Sequence, residues 1–258
     1  MNNSSRISFF ILFSLLLQFK GFCALEASDK GIEKQIHTIK QTFNVQVHYL
    51  YSSQKYFPEK WLKAPISGEG GQLALDEVER ILPLIQKALS AYPRSVIEEN
   101  LVNVYLLNKL MFYGKSFGAT NSKTNLYIKS QGKAKGYSDS FIISRIHSEF
   151  SSILMRNYEF PKEEWENINP REFKYLGAGK KMLGQKKLYG QNNELLSRGF
   201  LVKYSQSSLE NDFNLISDWL FTRYSQLVEL GEKHEKIRLK MNLAVRFYKS
   251  IDNRFEFK

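Results

Sequence analysis

The chain has 258 residues, 43% hydrophobic and 14% aromatic, enough apolar mass for a packed core, which excludes a globally disordered polymer. Its single cysteine, Cys23, excludes an internal disulfide. The formal charge of +11 comes with no zinc finger, helix-turn-helix or aromatic–basic RNA motif; it reads as a lysine-rich solvated face, with adhesion to anionic envelope polymers or nucleic acid as the other reading.

The N-terminus reads as a targeting segment. Arg6 precedes an apolar run from Ile7 to Leu17, and Gly21 and Cys23 place small residues at a cleavage site. Residues 1–23 are therefore expected to be a signal peptide, and the protein to be exported, periplasmic or secreted. An uncleaved anchor and a lipid on Cys23 are the two other readings. Removing this segment takes away Arg6 and Lys20 and no acid, which leaves a charge of +9 and no cysteine. No later apolar run reaches spanning length, so no membrane span is expected in the mature chain.

Residues 30–43 suggest a short helix or arm. The alternating stretch Val45–Tyr51 reads as a strand. Residues 60–71, with Pro65, Gly68, Gly70 and Gly71, form a loop. Leu73–Tyr92 has a helical apolar period through Val78, Ile81, Leu82, Ile85 and Leu89, with Pro83 as a potential kink. Leu101–Leu110 and Asn125–Lys129 are strand candidates, separated by turn-rich sequence.

Ser140 or Asp139 then caps a helix running to about Asn157, with Ile142, Ile146, Phe150, Ile153 and Leu154 as its apolar stripe and Pro161 beyond its end. Residues 161–200 show little periodicity, with one short helix at Asn193–Arg198. Helices follow from Leu209 to about Leu230 and from Lys233 to Ile251. The expected class is α+β: one domain over 24–258, with an N-terminal α/β lobe at about 40–157 and a helical lobe at about 158–258.

The helix at 140–157 carries His147 and Glu149, groups that an apolar core would not select. It holds Ser148, Ser151 and Ser152 as well, which suit close packing and bonds back to carbonyls. No G-x-S-x-G elbow is present, so these serines do not read as nucleophiles. His37, His48 and His234 read as ordinary positions. A hydrogen-bonded His147–Glu149 pair without catalysis is the plain structural reading.

Several segments occur in an order that resembles a group of exported bacterial zinc-binding metallopeptidases. They are Phe112–Gly114, Phe117–Asn121, Asn125–Ile128, Glu149–Leu154, Trp165, Asn169–Pro170, Phe173–Tyr175, Gly199–Leu201, Tyr204 and Glu210–Phe213. The resemblance implies a zincin-like fold: a small mixed sheet whose edge strand, here Asn125–Lys129, precedes an active-site helix, followed by a helix-rich lobe. It also implies zinc as cofactor and a peptide or protein substrate.

In that scheme two histidines at i and i+4 bind zinc, a Glu beside the first acts as general base, and a later helix supplies a third ligand. The resemblance gives Glu149 the role of base and His147 and Glu210 the role of metal ligands. Tyr204, which precedes the Glu210 helix, reads either as ordinary aromatic packing or as a hydrogen-bond donor to an oxyanion. With Glu149 as base, the ligand positions are 148 and 152, and both are serine, a poor zinc ligand. His147 lies about 100° around the helix from residue 148. Three functions stay open: a zinc peptidase using Glu149, an inactive zincin-like scaffold that binds an envelope partner or peptide, and a basic surface-adhesion or nucleic-acid-associated protein.

Overall fold

A computed structural model describes residues 30–177 and 188–258. The signal-peptide reading, with Cys23, lies outside the described residues. In chain order the elements are α1 (30–43), β1 (Gln46–His48), the single-turn helices α2 (Ser53–Tyr56) and α3 (Glu59–Leu62), β2 (Glu69–Gly71), α4 (Leu75–Leu89), α5 (Arg94–Asn100), β3 (Asn103–Leu107) and β4 (Lys109–Phe112). Then come β5 (Lys115–Ser116), β6 (Ala119–Asn121), β7 (Asn125–Lys129), α6 (Asp139–Asn157), α7 (Lys162–Ile168), α8 (Asn193–Ser197), α9 (Leu209–Thr222), α10 (Tyr224–Lys233) and α11 (Glu235–Ile251). The class is mixed α+β, with small sheets and many helices.

The larger sheet has the order β1-β3-β7-β6; β1, β3 and β7 run parallel and β6 runs antiparallel to β7. The expected edge strand, Asn125–Lys129, is thus an inner strand, and the edge is β6. Its sequence explains why. Leu126, Tyr127 and Ile128 are all buried, so β7 is covered on both faces and has neighbours on both sides. Leu101–Leu110, expected as one strand, is divided between β3 and β4, and β4 belongs to a separate antiparallel sheet, β2-β4-β5. Aromatic side chains fill the space under that sheet: the rings of Phe57 and Trp61 lie 5.5 and 5.4 Å from that of Tyr127.

The helix α6 crosses the middle of the molecule. Ser138 caps it, its hydroxyl accepting from Phe141 N at 3.1 Å, one residue before the expected Asp139 or Ser140. Ile142, Ile146, Phe150, Ile153 and Leu154 are fully buried, each worth roughly 1.5–3 kcal/mol of transfer free energy. The helix ends at Tyr158, before Pro161, which instead starts α7. The expected single helix from Leu209 to Leu230 is broken at Arg223, whose φ of −150° is non-helical, into α9 and α10.

A buried ion pair ties the helical part together. Asp212 Oδ2 on α9 accepts from Lys240 Nζ at 2.6 Å, Tyr175 Oη at 2.8 Å and Trp165 Nε1 at 3.0 Å. Lys240 Nζ also donates to the carbonyl of Gly199 at 2.8 Å. Gly199 has φ +87°, and a Cβ there would stand 2.9 Å from that of Lys236, so the position requires glycine.

Candidate functional site

The site lies where α6, α9 and β6 meet. Glu149 is half-buried and points toward the edge strand. Asn121 of β6 donates Nδ2 to Glu149 Oε2 at 2.6 Å. Burial pushes the Glu149 carboxyl above its ordinary range, while the Asn121 hydrogen bond and the charge of Arg145 oppose the shift. The same Asn121 accepts from Arg156 through Oδ1, and Arg156 Nη1 lies 3.4 Å from Glu210 Oε1. Glu149 and Glu210 are therefore linked through an asparagine and an arginine. Glu210 is largely exposed, at the first turn of α9.

His147 faces a different part of the core. It is buried, with Nδ1 hydrogen-bonded to Tyr92 Oη at 2.8 Å, and its ring stacks on Phe221 at 4.8 Å with an interplanar angle of 10°. Burial lowers its pKa to about 3, so the imidazole is neutral. The structure does not bring His147, Glu149 and Glu210 to a common point, and no group of three His, Cys, Asp or Glu among the described residues could hold a metal ion.

The two positions in register with Glu149 are also accounted for. Ser152 Oγ accepts from Asn214 Nδ2 of α9 at 2.7 Å. Ser148 Oγ is buried with no hydrogen-bond partner among the described residues. Both are neutral hydroxyls, and the donor set around Glu149 is hydroxyl, amide and guanidinium. That chemistry does not fit zinc, which takes imidazole, thiolate or carboxylate.

Tyr204 is half-buried near Glu149. Burial, the neighbouring Tyr189 and the Glu149 charge push its pKa up to about 12, so it keeps its proton. Sequence reasoning passed over Asn121, Asn214 and Arg145. Arg145 was legible one helical turn before Glu149; Asn121 and Asn214 carry no local signal, since their partners lie 28 and 62 residues away.

The chain belongs to the family described as "Putative zinc-binding metallo-peptidase", whose model matches residues 28–249. Among solved structures it is similar to the one titled a putative zinc-binding metallo-peptidase from Bacteroides caccae ATCC 43185, at 11% identity and a TM-score of 0.50, over 90% of this chain and 88% of that one. At that identity the likeness concerns the fold. No curated protein matches the chain. No helix among the described residues is long and apolar enough to cross a membrane.

Proposed function

We propose that this chain is an exported, zincin-like member of its family that binds a peptide or protein segment in its cleft and does not hydrolyse it. Residues 24–258 act as one domain, with the α/β lobe supplying β6 and the helical lobe closing the cleft. The observation that carries this reading is the Ser152–Asn214 hydrogen bond. It occupies, with two neutral groups, the place where the family scheme needs a second imidazole. His147 does not supply the missing donor: its ring is buried against Tyr92 and Phe221, and no group of three His, Cys, Asp or Glu among the described residues joins it to Glu149 and Glu210.

The cleft retains what extended peptide recognition needs. β6 is an edge strand, and an added strand gains affinity from main-chain hydrogen bonds and specificity from neighbouring side-chain pockets. The test is retention of a fluorescent peptide pool by the chain with zinc supplied. Retention without new amino termini supports the reading. Steady cleavage that is lost in Glu149→Gln refutes it.

A second reading, zinc-dependent hydrolysis with Glu149 as general base and His147 and Glu210 as ligands, is favoured by one observation. The raised proton affinity of Glu149 is what a general base near neutral pH requires. The same assay separates the two.

A further inference from the structure

A cavity of about 710 Å³ opens where β6 begins. Gly118, Ser138, Arg145, Asp218, Trp219 and Arg223 stand in its wall, so it is bounded by the start of the edge strand, the N-terminal half of α6 and the far end of α9. The backbone of Gly118 comes close to α6: a Cβ there would lie 3.0 Å from Phe141 Cζ and 4.0 Å from Arg145 Cδ.

The cavity holds two arginines with no carboxylate within ion-pair distance among the described residues, although the charge of Arg145 also acts through space on Glu149. Neither Arg145 nor Arg223 is ion-paired among the described residues, although 13 ion pairs occur elsewhere in them. Among the described residues Arg145 Nε is buried with no hydrogen-bond partner, and its Nη2 donates to Ser144 Oγ at a long 3.3 Å. Arg223 stacks on Trp219, 4.8 Å from the ring centroid. Asp218, the acid in the wall, already accepts from Ser144 Oγ at 2.7 Å through Oδ2 and from Thr222 Oγ1 at 3.1 Å through Oδ1. The cavity therefore has an excess of guanidinium donors, and the fork of an arginine matches a carboxylate.

The strand direction says which carboxylate. Lys129 N bonds Gly118 O at 3.0 Å, and Ser122 N bonds Asn125 O at 2.9 Å. By the alternation of an antiparallel ladder, residues 118, 120 and 122 turn their backbone groups toward β7, so Ala119 and Asn121 offer theirs to the outer edge. A peptide lying antiparallel on that edge runs its C-terminus toward the start of β6, at Gly118. A parallel peptide brings an ammonium to the same arginines, which repel it.

From this we infer that the cavity is a recognition site for the C-terminal carboxylate of a peptide bound antiparallel along β6, with Arg145 and Arg223 as its donors. This inference rests on the peptide-binding reading above and names the partner class: segments with a free C-terminus, as distinct from internal loops.

The experiment uses the full chain, immobilised, and an N-acetylated randomised hexapeptide pool in which half the members end in a free carboxylate and half in a carboxamide. Mass spectrometry gives the ratio of acids to amides in the captured fraction. A charge-assisted bidentate contact is expected to enrich the acids roughly tenfold. In Arg145→Gln and, separately, Arg223→Gln, each verified by an unchanged circular dichroism spectrum, the ratio falls toward one while the amides are captured as before. Equal capture of acids and amides by the native chain overturns the carboxylate site and leaves peptide binding standing. Capture of neither refutes the peptide-binding reading itself. Enrichment that persists in both arginine variants, or that follows acidic side chains in the amide half, overturns the assignment to this cavity and to the C-terminus.

Discussion

Asn214 Nδ2 donates to Ser152 Oγ at 2.7 Å, joining α6 to α9 at the position where a zinc-binding helix in this register would present its second imidazole. Both groups are buried, and Asn214 Oδ1 has no partner of its own among the described residues. In the non-hydrolytic reading proposed above, the contact stands at the centre of the site. Ser152→Ala leaves a buried amide donor unpaired, and a loss of about 1–3 kcal/mol is expected in urea unfolding. A loss near zero means that Asn214 finds another partner and that the contact does not organise the cleft.

Glu149 gives a second expectation, with a sign fixed by its raised pKa. A carboxyl whose folded pKa lies above its unfolded value binds its proton more tightly when folded, so it destabilises the fold as the pH rises through the folded pKa. Glu149→Gln should therefore raise the melting temperature at pH 7 and leave it little changed at pH 4, and it should leave peptide capture intact. A lower melting temperature at pH 7 would show that the ionised carboxylate, held by Asn121, supports the fold.

His147 titrates in the opposite sense. Its folded pKa is about 3 against an ordinary value of 6.5. Between those values the unfolded chain binds the extra proton, so stability is complete above pH 6.5 and falls as the pH drops toward 3. At pH 5 the loss from this residue is about 2 kcal/mol. The His147→Gln variant, which keeps a polar partner for Tyr92, should show a flatter stability profile between pH 6.5 and pH 4 than the native chain. Parallel profiles would contradict the buried neutral imidazole.

Asp212, on the same helix as Asn214, pairs with Lys240 of α11. Lys240→Met removes the cation from a carboxylate that is essentially inaccessible to solvent, and a destabilisation of about 3–5 kcal/mol is expected from the charge left unpaired. Joining it to Asp212→Asn should recover part of that loss, which chemical denaturation of the three proteins measures. Equal stability of Lys240→Met and the native chain would show that Trp165 and Tyr175 alone satisfy Asp212.

The long helices were legible because their apolar periods are strong: α4 and α6 follow from Val78–Leu89 and Ile142–Leu154 with small errors at the caps. The edge strand was not. β6 has only three residues, Ala119, Thr120 and Asn121, set in turn-rich sequence, and its role comes from pairing rather than composition. The unbroken apolar run of β7 was the sign that it lies inside the sheet. Seven-residue α7, rich in charge around one buried Trp165, gives too few turns to establish a period.

At the site, the register of Ser148 and Ser152 against Glu149 could be read directly from residue spacing. The direction of His147 could not, because Tyr92 and Phe221 reach it from segments 55 and 74 residues away by number. Arg145 and Arg223 likewise come to line one cavity only when α6 and α9 pack.

The central claim, that the family cleft survives here without its metal, is tested most directly by zinc stoichiometry. The full chain is equilibrated with zinc, freed of unbound metal and measured by elemental analysis, with melting temperatures taken before and after a chelator. The expected result is far less than one zinc per chain and no change in melting temperature. One zinc per chain, with a melting temperature that falls on chelation, would contradict the account.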